Sequence, residues 1–92
     1  MTHPDTVGAT SNTVYDFVGQ LLKEKGAIPE PAAMMAYRYL ANGHIDSLAF
    51  IKFIFRIEEQ FGIQFTESEM IGDRVKTVGE LIALIEEKLG QP

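Results

Sequence analysis

His44, Asp46 and Ser47 lie within four residues of one another, and their types invite a nucleophilic reading. A hydrolytic triad needs its imidazole to bridge hydroxyl and carboxylate, whereas close neighbours at a loop-to-helix junction point in different directions. The chain also lacks the Gly-x-Ser-x-Gly turn that lifts a nucleophilic serine. The other use of such a hydroxyl is to carry a group. Asp46 is a preferred helix N-cap residue, and Leu48 to Phe61 is helical in pattern, which predicts Ser47 at the first helical position, facing water. A phosphate ester there would meet unpaired backbone N–H groups and the positive end of the helix dipole. Ser47 therefore reads as a modification site and not as a catalytic residue.

Other constellations carry less. His3 and His44 are the two imidazoles, neither has a carboxylate three or four residues away on a predicted helix, and both are expected to be solvated rather than metal ligands. Glu58-Glu59 and Glu86-Glu87 are adjacent on helices, so each pair diverges by about 100° and cannot converge on a substrate. Gly19, Gly26, Gly62 and Gly72 are too scattered to cradle a phosphate.

Several helices must position the serine. Residues 1–11 mix Pro, Gly, Thr, Ser and Asn without periodicity and read as a flexible leader before a domain over residues 12–90. Thr13 with Asp16 resembles a capping box, followed by an apolar stripe of Val14, Phe17, Val18, Leu21 and Leu22 that stops at Gly26. Ala27 to Asp46 is a long connection with room for one or two helical turns in Ala32 to Leu40. Tyr37, Tyr39 and Leu40 are too apolar for a solvated loop. Next comes an aromatic helix over about Ser47 to Gln60, closed by Gly62. Lys52, Arg56 and Glu59 form its one charged stripe. The remaining Leu48, Phe50, Ile51, Phe53, Ile54, Phe55 and Ile57 exceed the single apolar face that a bundle helix buries. Leu48 and Phe55, seven residues apart, are the pair expected on the surface. Thr66 with Glu69 opens a short helix to Ile71, Asp73 to Lys76 reads as charged loop, and Thr77 with Glu80 opens a last helix from Val78 to Leu89. The fold class is all-α: a small four-helix bundle of three main helices, one short helix and a long first loop.

Composition bounds the function. The 92 residues suffice for one small domain, and the apolar fraction of 46% can supply its core. Eight basic against 13 acidic residues, a net charge of −5, disfavour nucleic acid or an anionic membrane as partner. The absence of cysteine excludes disulfides and thiolate chemistry from the chain itself. No apolar run approaches the roughly 18 residues of a membrane span. A cytoplasmic monomer is the expectation.

Three stretches carry a resemblance. They are Gly43-His44-Ile45-Asp46-Ser47-Leu48, then Ile57-Glu58-Glu59-Gln60-Phe61-Gly62-Ile63, then Thr77-Val78-Gly79-Glu80-Leu81. Through them the segment Leu40 to Leu89 resembles the acyl carrier proteins and the related aminoacyl carrier proteins. The resemblance implies a non-catalytic carrier whose Ser47 is esterified with 4′-phosphopantetheine from coenzyme A, the arm's thiol holding cargo as a thioester. It implies that Asp46 assists Mg²⁺-dependent transfer by a phosphopantetheinyl transferase. It also makes the aromatic helix the recognition element for acyl or aminoacyl ligases, synthases and transferases. Leu48, Phe55, Glu58 and Glu59 are then the partner contacts.

This chain departs from the fatty-acid carriers twice. Their glycine usually lies three residues before the serine, whereas here His44 stands there and the glycine is Gly43. Their recognition helix begins acidic, whereas this one has Lys52 and Arg56, which should slow association with partners selected for an acidic helix. D-alanyl carriers and stand-alone carriers of specialised pathways look more like this chain. The competing reading is a helical interaction domain that carries nothing and docks through the apolar face of the aromatic helix.

Overall fold

The fold is taken from a computed structural model that describes residues 6–90, with side chains from residue 13 onward. Among these described residues five α-helices follow one another: α1 (Thr6–Lys23), α2 (Pro31–Met34), α3 (Ser47–Phe61), α4 (Glu67–Ile71) and α5 (Val78–Lys88). A 3-10 turn, Asp73–Val75, precedes α5, and there is no strand among the described residues. This is the small helical bundle that the periodicity predicted, with α2 as the single turn of helix inside the long connection.

The first helix starts earlier than the capping pattern implied. Thr13 lies seven residues inside α1, so Thr13 and Asp16 do not cap it, and residues 6–11 of the expected leader are helical. Residues 1–5 of that leader, with His3, lie outside the described residues. The sequence from Thr6 to Asn12 is a poor helix former but holds no proline. Each residue there costs at most about 1 kcal/mol relative to alanine, which propagation from the packed half of the helix can offset.

Burial follows the predicted stripes. Val14, Val18, Leu21 and Leu22 of α1 meet Phe50, Phe53, Ile54 and Ile57 of α3 and Val78, Leu81, Ile82, Leu84 and Ile85 of α5 in one core. Phe17 is half-buried, its ring edge-on to Phe61 at 5.5 Å. The connection after α1 packs like an element of its own. Tyr39 is fully buried against Phe50 and Phe53, with centroids at 6.3 and 5.5 Å, and its hydroxyl donates to the Val75 carbonyl. Burial, and secondarily the charge of Glu80, pushes the Tyr39 hydroxyl well above its ordinary value, so it stays a donor. Asp73 to Lys76, expected as charged loop, is instead a turn anchored by buried Val75. A lone valine between charged residues carries no periodicity from which its burial could be read.

Backbone bonds tie the connection to α5. Val78 N–H donates to Tyr37 carbonyl at 3.1 Å and Gly79 N–H to Met35 carbonyl at 2.8 Å, supplying partners for α5's first donors. A Cβ on Gly79 would stand 2.9 Å from that Met35 oxygen, so only glycine permits so close an approach.

Candidate functional site

Ser47 is the first residue of α3 and is exposed, as its position after Asp46 predicted. Asp46 is extended, at φ −88° and ψ 178°, and its Oδ1 accepts from Ala49 N–H at 2.8 Å. That is an N-cap bond to the third helical residue. The first intrahelical bond, from Phe50 N–H to the Asp46 carbonyl, is 2.8 Å. The amides of Ser47 and Leu48 belong to the first turn, whose N–H groups have no partner within the helix. A phosphate on the Ser47 hydroxyl would therefore sit at the positive end of a 15-residue helix. The second Asp46 oxygen is engaged by no group among the described residues.

The loop leading to Ser47 is held from several sides. Gly43 adopts φ 73°, a left-handed conformation at which a side chain would be strained. The positive φ falls at Gly43, so the position three before the serine is open to a residue other than glycine, here His44. His44 N–H donates to Tyr39 carbonyl at 2.9 Å, and Ile45 is buried in the core. The His44 ring is not solvated, contrary to the sequence reading. It is half-buried, with Nε2 2.7 Å from the Leu22 carbonyl and Nδ1 2.7 Å from the Tyr37 hydroxyl. Sequence could not show this, because the Leu22 carbonyl lies 22 positions away and at the end of another helix. Both ring nitrogens thus face groups other than Ser47 and Asp46.

The predicted surface residues of α3 divide into patches. Leu48 is 71% exposed and Phe55 60%, as expected, and Ile51 joins them at 40%. Ile51 was missed, yet it stands three residues after Leu48 and four before Phe55, the spacing of a single helix face. Phe55, Glu58 and Glu59 line a shallow surface groove at the C-terminal end of α3 with Ile63 and Gln64. Within it Glu58 is half-buried and its Oε2 accepts from Phe65 N–H at 2.9 Å, so this carboxylate fastens the link after α3. Glu59 is exposed. Lys52 and Arg56 border a cavity of about 150 Å³ between α1 and α3, floored by Leu21, Ile45, Ala49 and Phe53. Arg56 pairs at 2.8 Å with Glu24, in the turn just after α1, which leaves Lys52 as the cation of α3 without an ion-pair partner among the described residues. No group of three or more potential metal ligands gathers among the described residues, and no helix there is long and apolar enough to cross a membrane.

Comparison with known proteins agrees with this geometry. Residues 43–85 match the family model described as the phosphopantetheine attachment site. The chain is similar to the acyl carrier protein of Thermotoga maritima, 23% identical over 82 residues that cover 89% of this chain and 99% of that protein. No solved structure matches it.

Proposed function

We propose that this chain is a phosphopantetheine-bearing carrier of the acyl carrier protein family, a discrete carrier of acyl or aminoacyl groups with the arm on Ser47. The match of residues 43–85 to the phosphopantetheine attachment site and the similarity to an acyl carrier protein support this. The observation that carries the assignment is the exposed Ser47 hydroxyl at the start of α3, behind the capping Asp46. When bound, 4′-phosphopantetheine supplies the thiol that this cysteine-free chain lacks. The chain's own part is to present the hydroxyl and hold the first turn of α3 still. In the transfer the Ser47 Oγ–P bond would form as a P–O bond of the coenzyme A pyrophosphate breaks, adenosine 3′,5′-bisphosphate leaving and the hydroxyl giving up its proton. His44 has both nitrogens committed elsewhere, so the base that takes the proton belongs to the transferase. Asp46 stabilises the helix start through Oδ1 and offers its second oxygen to Mg²⁺.

In this reading the chain is not itself an enzyme and works as a monomer in the cytoplasm. Leu48, Ile51, Phe55 and Glu59 form the face that ligases, synthases and transferases meet. Lys52 adds a positive charge where fatty-acid carriers are acidic, which favours a dedicated pathway over housekeeping fatty-acid synthesis.

Incubation with coenzyme A, Mg²⁺ and a broad-specificity phosphopantetheinyl transferase should add the mass of one arm, and Ser47→Ala should add none. An unmodified wild type, or an undiminished adduct on the variant, would sink the assignment. The apolar face of α3 also favours a second reading, an interaction domain without an arm. It requires partner binding that survives Ser47→Ala and weakens in Leu48→Ala or Phe55→Ala.

A further inference from the structure

His44 takes no part in the transfer chemistry, yet its side chain joins the loop that delivers Ser47 to two separate parts of the molecule. A carbonyl can only accept, so the hydrogen facing Leu22 is on Nε2, and in the neutral ring Nδ1 accepts from the Tyr37 hydroxyl. The two rings also meet edge to face, with centroids 5.4 Å apart and planes at 86°. The end of α1, the middle of the connection and the start of α3 are thereby fixed on one imidazole three residues before Ser47. Asp46 does something different: its cap bond orders the first turn of α3 relative to itself, not relative to α1.

We propose that His44 is a positioning residue for attachment of the arm. By pinning the junction to the Leu22 carbonyl and to Tyr37, it holds Ser47 and Asp46 in the arrangement that the transferase accepts. This rests on the carrier reading of Ser47. A junction released from α1 would occupy the competent arrangement only part of the time, and apparent affinity for the transferase would fall by that fraction. Losing a part-buried hydrogen bond of this kind corresponds to a factor of up to about ten.

The test uses His44→Ala, Tyr37→Phe and the double variant as substrates of one transferase with coenzyme A and Mg²⁺, well below their melting temperatures. For His44→Ala the KM for the carrier should rise about tenfold while kcat stays within about twofold. Tyr37→Phe, which keeps the ring and loses one hydroxyl, should move KM the same way by less. The double variant should be no worse than His44→Ala alone, since its Tyr37 bond is already gone. In the unmodified proteins, amide hydrogen exchange should quicken at residues 44–50 and stay unchanged in the cores of α1 and α5. If His44→Ala does not fold, Tyr37→Phe carries the test. Unchanged KM in both single variants, losses that add in full, or exchange that quickens equally throughout the core would overturn the proposal. A wild type that takes no arm is a separate outcome and overturns the carrier reading along with it.

Discussion

At Asp46 the two carboxylate oxygens have different surroundings, and this lets stability be separated from chemistry. Oδ1 accepts from Ala49 N–H, and the other oxygen has no partner among the described residues. Asparagine caps helices about as well as aspartate but has no charge. Asp46→Asn should melt close to wild type and yet accept the arm at least about tenfold more slowly, if the charge holds Mg²⁺ in the transfer step. Asp46→Ala loses the cap as well, at about 1 kcal/mol, or roughly 4–8 °C of melting temperature in a domain this small. Thermal melts read beside transfer rates check both, and wild-type transfer by Asp46→Asn would remove the role given to its charge. The type and position of Asp46 and Ser47 were legible in sequence because an N-cap is local. The ring of His44 was not legible, because its partners come from other elements.

Within α3 the division between buried and exposed apolar residues separates those that hold the fold from those proposed for recognition. Ile54 is fully buried, and replacing it with alanine should cost about 2–5 kcal/mol. Phe55, its neighbour on the exposed face, should cost within about 0.5 kcal/mol on the same change while weakening partner enzymes. Charge on this helix follows similar logic. Arg56 is half-exposed and paired with Glu24, so the positive field along the exposed face of α3 comes mainly from Lys52. Lys52→Glu should raise the rate at which a fatty-acid malonyltransferase loads the arm-bearing protein, and Arg56→Glu should add less because it also sets two carboxylates together. Equal rates for wild type and Lys52→Glu would show that this charge does not exclude such partners. The excess of apolar residues on α3 was readable from composition. Which of them faced outward needed the positions of α1 and α5.

Across the whole molecule, the ion pair of Glu69 with Lys88 joins α4 to α5 at 2.8 Å, both side chains largely covered. The Lys88 ammonium also lies 5.5 Å above the Phe65 ring. The hydrogen bond from Lys88, followed by that from Thr66 N–H, holds the Glu69 carboxyl below its ordinary value. A lowered folded value means that unfolding takes up a proton. The resulting stability is therefore present above the unfolded value near pH 4.5 and is lost as pH falls through the lower folded one. Glu69→Gln should show a shallower fall in urea midpoint between about pH 5 and pH 2 than wild type. Parallel curves for the two proteins would show that the pair adds nothing to acid stability.

The sequence by itself determined the helices with strong stripes and local caps, the fold class, and the hydroxyl at the start of α3 with its aspartate. These follow from i, i+3, i+4 spacing and from bonds spanning three residues, both of which are written along the chain. Tertiary structure alone decided the rest. It turned Val75 into the core, committed Glu58 to the backbone of Phe65, and paired Arg56 with Glu24. It also placed the His44 imidazole between Leu22 and Tyr37. Each of these depends on which surface faces which when the helices pack. A pattern of residue types fixes the faces of a helix but not the neighbour that each face meets.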